Sequence, residues 1–323
     1  MTRILLAALA LAALSLPAAA QGRLEKTLVP TVVKTGKWAE GVGFDGRNLW
    51  VAESGERRVL RIDAKGTQTR MPAGRLPVDL VGLGGGFTYV IARTDRALWR
   101  FERDGRAGKV MKVLPEEPVG MAIESEPVWI LTWPDGSSKD SRVLRFNHAT
   151  GELKASRPLG EWGQVIAAAQ GKVFVGHVRG DRLSVIDSVT LAAKAVTIKG
   201  VAFWAMTGDS PHGLYAGGRV GEDNAKGVLV WLDPATGLEK KRLEVNQRIV
   251  SMAADERTVV ALGAEGAIWT IDPKAFELTG VVRLDAPRFD PAAILVQGER
   301  LVVTARKFDG ENGAVLVVEK GWR

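Results

Sequence analysis

The chain contains no cysteine, three histidines and two tyrosines in 323 residues. The missing cysteine excludes disulfides, thiolate metal centres, haem attachment through CxxCH and a lipid-modified cysteine. A chain of this length buries enough apolar surface to stand without disulfides, whereas small exported domains usually need them. GxSxG is absent, so serine-hydrolase chemistry has no support. No stretch carries a helical 3.6-residue period of useful length. Basic arms and long basic clusters are also absent: 44 Lys and Arg against 37 Asp and Glu give +7, but the charges are scattered. That pattern reads as a basic soluble surface and not as a nucleic-acid site.

Long apolar runs are lacking except at the start. Arg3 precedes an apolar segment, Ile4–Leu16, followed by Pro17-Ala18-Ala19-Ala20. A positive n-region, a 13-residue h-region and a small-residue cleavage site predict a signal peptide over residues 1–20. The segment is short for a membrane span. The expected mature chain, residues 21–323, is then periplasmic or secreted, near +6 once Arg3 is lost, with no membrane span, and is expected to be a monomer.

What is present is a repeat. In "GVGFDGRNLWVAESGERRVLRIDAKG" two β-rich runs, Leu49-Trp50-Val51 and Val59-Leu60-Arg61-Ile62, flank a turn at Gly55 and predict a hairpin. The arrangement recurs with centres at Trp50, Tyr89, Trp129, Phe174, Tyr215, Val259 and Val302, spaced 39, 40, 45, 41, 44 and 43 residues apart. Seven copies at this period predict an all-β, seven-bladed β-propeller of four-stranded blades. The last copy lacks an outer strand, and Thr27–Lys34 is expected to supply it and close the ring. "DGRNLWVAESGERRVLRIDAKG" and "VLVWLDPATGLEK" resemble blades of YVTN-type and NHL-type propellers, a group that includes virginiamycin B lyase-like and gluconolactonase-like proteins. The resemblance implies the fold over nearly the whole mature chain and leaves the activity open.

The hairpins differ in length. From each centre to the polar residue that ends the next strand (Asp63, Glu102, Asn147, Asp187, Asp233, Asp272, Glu319) the separations are 13, 13, 18, 13, 18, 13 and 17. The extra residues of copies 3, 5 and 7 lie in loops on the face where the inner strands begin, which marks that face as the working one. Counting back about ten residues from each centre puts Glu40, Asp79, Val119, Gln164, Trp204, Ile249 and Pro291 at the channel mouth. Trp38, Trp162, Phe203, Arg248, Phe289 and Asp290 are their neighbours. Arg93, Arg219 and Arg306, each four residues past a centre, are expected near the same mouth, where converging guanidiniums would suit a carboxylate or phosphate.

These residues define the expected ligand face, and the expected partner is a small anionic ligand or another exported protein. No cofactor is required. The gluconolactonase-like resemblance implies a divalent metal held by a glutamate at the first inner strand, which Glu40 matches, and a metal-dependent hydrolase or lactonase. The family's later asparagine and aspartate ligands have no counterpart in "EPVG", "EWGQ", "AFWA" or "QRIV". A lyase of the virginiamycin type would need a histidine at the mouth. His177 in "GHVRGD" is expected on that face, and His148 and His212 on the opposite one.

Overall fold

The computed structural model describes residues 25–323 other than 84, 125, 135–139, 209 and 222 and the side chains of 223, 224 and 309. The predicted signal peptide and most of the copy 3 insertion therefore lie outside the described residues.

Each sequence repeat folds as one antiparallel sheet whose strands pair in chain order from the axis outward. The inner strands are Ala39–Phe44, Pro77–Leu83, Glu117–Ile123, Gly163–Ala169, Val201–Thr207, Ile249–Ala254 and Asp290–Gln297, in blades 1 to 7. Each touches the inner strand of the next blade, and that of blade 7 returns to blade 1, so the ring is closed. The result is an all-β, seven-bladed propeller.

Burial follows position in the blade. The second strand is sandwiched between two neighbouring blades, so both its faces must be apolar. Leu49–Glu53 is buried throughout, and Val128–Trp133 nearly so. The fourth strand lies at the rim, and Ala193–Thr197 is almost wholly exposed. Between blades the large side chains interlock: Trp50 packs with Phe101, and Tyr215 stacks on Phe276 at 5.8 Å. Burial of such rings supplies much of the drive for blade docking.

Closure is made as expected, by an N-terminal strand that completes blade 7, but the strand's limits differ. Thr31–Lys37 pairs antiparallel with Asn312–Val318. Residues Glu25–Leu28 do not join it. They add a parallel fifth strand to the outer edge of blade 6, alongside Glu277–Leu284. Pro30, expected within one continuous strand, is buried between the two segments. A proline cannot donate to a ladder, and the chain changes blade where that bond would be missed.

The insertions in blades 5 and 7 lengthen the hairpins themselves. Leu214–Val220 and Asp223–Leu232 continue the ladder outward, as do Arg300–Asp309 and Asn312–Val318. Gly221 and Gly310 occupy left-handed positions at their tips.

Candidate ligand site at the channel mouth

Every inner strand carries a bulge near its start. The extra residue has no partner across the ladder and turns toward the axis. Glu40, Val78, Val119, Gln164, Trp204, Val250 and Ala292 occupy this position and line the central channel, a cavity of about 650 Å³. The count back from the strand centres placed Glu40, Val119, Gln164 and Trp204 correctly and missed by one residue in blades 2, 6 and 7. Ile249 and Pro291 are buried within their blades. Asp79 stands one residue past the bulge but still faces the channel.

The mouth is electrically divided. On the side of blades 5 to 7, Arg248 lies over the Trp204 ring, its Cζ 4.6 Å from the ring centre. Burial, then the fields of Arg219 and Arg306, pull the Arg248 pKa below its usual value, with Asp290 opposing them. Three arginines from three blades thus act on one point. The Arg306 Nε donates to Glu40 Oε2 at 2.8 Å, and its Nη1 is 3.7 Å from Asp290 Oδ1. Glu40 is thereby held across the blade 7–blade 1 junction, and Thr304 Oγ1 donates to the Glu40 carbonyl at 2.6 Å. Burial raises the Glu40 pKa, and Arg306 offsets part of that rise.

On the side of blades 1 to 3 the carboxylates are committed to structure. Asp79 accepts the backbone N–H of Leu80 and, across the blade boundary, that of Met121, both at 2.8 Å. Desolvation in the channel pushes its pKa up to about 6. Ser251 makes the corresponding tie from blade 6 to Ile294 N–H at 3.1 Å. Arg93, expected to join the other arginines, instead pairs with Glu117 and lies over Trp133, 5.0 Å from the ring centre. It still lines the channel. Trp133 and Glu117 escaped the sequence reading because their contact depends on the docking of blade 2 against blade 3.

The remaining predicted residues scatter. Phe203 is fully buried in the core between blades 4 and 5. Its neighbour Trp204 takes the bulge, and a one-residue change of register exchanges the two faces of a strand. Phe289 lines a second cavity, between blades 6 and 7. Trp38 and Trp162 stand at equivalent points before their inner strands, both with left-handed φ, 56° and 61°. Their carbonyls accept from Ser54 and Val178, which turns the chain into the blade. Trp38 is 44% exposed. Trp162 is capped by Arg179 at 4.5 Å, and neither tryptophan lines the channel.

His177 is fully buried. Its Nδ1 must carry the proton, since it meets the Glu161 carbonyl at 2.7 Å, and its Nε2 accepts from Ser184 Oγ at 2.9 Å. Burial lowers its pKa to about 4. Both nitrogens are occupied, so the ring is a structural bridge from the turn before the inner strand to the third strand and not a proton-transfer group at the mouth. His148 and His212 meet the carbonyls of Glu126 and Glu256, in the turns that end inner strands, on the opposite face as expected.

No protein-family model matches the chain, and no curated protein matches it in sequence. Solved structures do match. Virginiamycin B lyase from Staphylococcus aureus aligns with a TM-score of 0.70 at 12% identity, covering 89% of this chain and 99% of the lyase. A catalytically inactive histidine-to-alanine variant of that lyase, with quinupristin, aligns with a TM-score of 0.70 at 13% identity over the same shares. The RRP9 WD40 repeats reach a TM-score of 0.72 at 10% identity, covering 90% of this chain and 98% of that one. This chain is a β-propeller.

The likeness is to the fold, which hosts many functions. For a metal on the propeller axis, the described residues contain no group of three Asp, Glu, His or Cys side chains placed to hold an ion. Glu40, the one residue matching the gluconolactonase-like pattern, is bonded to Arg306.

Proposed function

We propose that this protein is an exported binding module whose channel mouth takes a small ligand carrying an anionic group. The arrangement of Arg248 over Trp204, in the combined field of Arg219 and Arg306, carries the reading. Charges of one sign in a low-dielectric cleft raise the local concentration of an opposite charge, and guanidiniums suit carboxylate or phosphate oxygens. An anion there would offset the fields of Arg219 and Arg306 on Arg248. Below the mouth, the inner strands present one unpaired backbone edge to the channel, and those amides and carbonyls favour a polar body over a hydrocarbon tail.

Export rests on the n-region, h-region and cleavage pattern of residues 1–20. His177, the histidine expected on that face, is enclosed by the Glu161 carbonyl and the Ser184 hydroxyl, which favours binding over histidine-based lyase chemistry.

The test is a thermal-shift and calorimetric screen of small carboxylates, phosphates, neutral sugars and amines, at low and high salt. Anions are expected to bind, more weakly as salt rises, and Arg248→Ala is expected to abolish binding. Hits confined to neutral or cationic compounds, or anion hits indifferent to Arg248→Ala, overturn the reading.

A further inference from the structure

Beside the mouth lies a second cavity of about 670 Å³, on the same face, between blades 6 and 7. Phe289 and Phe308 contribute apolar wall, and Arg288 and Lys307 are exposed cations on its lining. Phe289 rests against Gly266, where an added Cβ would come within 3.0 Å of the ring. Gly266 has φ of 85°, so the position suits glycine on two counts.

The two cavities meet at one ion pair. Asp290 lines the second cavity and stands 3.7 Å from Arg306, which lines the first. Arg306 and Lys307 are consecutive in one strand, and strand alternation sends successive side chains to opposite faces. One cation therefore serves the mouth and the next serves the neighbouring cavity. Arg283, also on the second cavity, is already paired with Glu25 of the added fifth strand. Glu311, the acid whose field reaches Lys307, bonds Lys37 at 2.5 Å. Glu265 is the other acid of this lining beside Asp290, and among the described residues the positive charge left for a ligand is concentrated at Arg288 and Lys307.

We infer that mouth and cavity form one bipartite site for an elongated diacid with an aromatic body. One carboxylate sits on Arg248, beside the Arg306–Glu40 pair, the rings lie against Phe289 and Phe308, and the second carboxylate meets Arg288 and Lys307. The inference rests on the anion reading of the mouth and adds the ligand's length, its aromatic character and its second charge. A cavity of this volume falls within the range of small-molecule sites, and aromatic walls favour an aromatic occupant.

Calorimetry at low salt with acetate, benzoate, biphenyl-4-carboxylate and biphenyl-4,4′-dicarboxylate tests it on the intact protein. Affinity is expected to rise along that series, on the order of tenfold or more from benzoate to the diacid. Arg288→Gln with Lys307→Gln, both exposed, should remove the advantage of the diacid over the monoacid, with a much smaller effect on benzoate. Phe289→Ala should weaken both biphenyl acids, and Arg248→Ala should weaken all four. If the diacid binds no tighter than benzoate, or ignores the double neutralisation, the second subsite is refuted while benzoate's dependence on Arg248 still supports the mouth. If the biphenyl acids bind through Phe289 but ignore Arg248→Ala, the cavities are separate sites and the bipartite inference is wrong. If no acid binds, the mouth reading falls and this inference falls with it.

Discussion

The two faces of the propeller are built on opposite principles. On the face away from the mouth, one turn is made again and again. Asp63, Asn147, Asp187, Asp233 and Asp272 each end a third strand, and the Oδ1 of each accepts two backbone N–H groups of the following turn. On the mouth face the backbone bulge recurs in every blade, but among the described residues no side chain repeats a task in this way. The residue at the bulge is in turn Glu, Val, Val, Gln, Trp, Val and Ala, and the hairpins differ in length. A side chain that performs the same backbone task in most blades belongs to the scaffold. One that occurs once, at a position where the other blades do without it, has to be explained by its own surroundings.

The largest expected effect breaks the scaffold itself. Deleting residues 25–37 removes the closing strand of blade 7 and the added strand of blade 6. The melting temperature is expected to fall by about 10 °C or more. A truncated chain that melts like the intact one would mean that the ring does not depend on this closure.

Next comes Asp45, on the face away from the mouth. It is fully buried and accepts from the Arg47 and Asn48 amides, the Asn48 side chain and the Trp50 indole, at 2.7 to 3.0 Å. Asp45→Ala leaves several buried donors unmet and should cost about 3 kcal/mol or more in urea unfolding. Asp187→Ala, at one of the exposed repeated turns, should cost clearly less. Equal losses would erase the distinction drawn between a buried turn and a solvated one.

A third test uses pH. His177 is neutral when folded, with its pKa lowered from 6.5 to about 4. The unfolded chain binds the extra proton first, so stability falls as pH drops from 6.5 toward 4, by about 3 kcal/mol. Asp79 acts in the opposite sense. Its folded pKa is raised to about 6, so the stability it contributes is present below its unfolded value, near 3.8, and is lost as pH rises through 6. Unfolding measured from pH 4 to 8 should therefore show a flatter profile than either group alone produces. His177→Gln should remove the first slope and Asp79→Asn the second. Below pH 4 a further loss is expected from Asp63, Asp187, Asp233 and Asp272, whose pKa values are lowered, chiefly by backbone hydrogen bonds at three of the four turns.

The smallest stability effect is expected at the mouth. Arg248→Ala gives up the contact with Trp204 but also relieves repulsion by Arg219 and Arg306. Its unfolding free energy should stay within about 0.5 kcal/mol of the parent. A loss of several kcal/mol would make Arg248 part of the scaffold and weaken the contrast between the faces.

The fold was legible because its signals are local. Apolar runs such as Leu49-Trp50-Val51-Ala52, followed by polar turns, mark strands without knowledge of their neighbours, and their spacing counts the blades. The site was legible only in outline. Glu40, Gln164, Trp204, Arg248 and Arg306 were placed at the mouth from register alone. Phe203 was not separable from Trp204, because a bulge moves a strand's apolar side by one position and leaves no mark in composition. His177 looked available at a loop, but the Glu161 carbonyl that encloses it comes from the turn before the inner strand and the Ser184 hydroxyl from the third strand.

The sequence by itself determined the number of blades, their period, the lengthened hairpins and the need for an N-terminal strand, since each follows from alternation and counting along the chain. Only the tertiary structure decided which charges meet. Glu40 and Arg306 are 266 residues apart and touch because the ring closes between blades 7 and 1. Arg93 is claimed by Glu117 of the next blade, while Arg219 and Arg306 act on Arg248. Electrostatic interaction depends on distance through space and on the medium between the charges, and neither is set until seven separate sheets have docked around one axis.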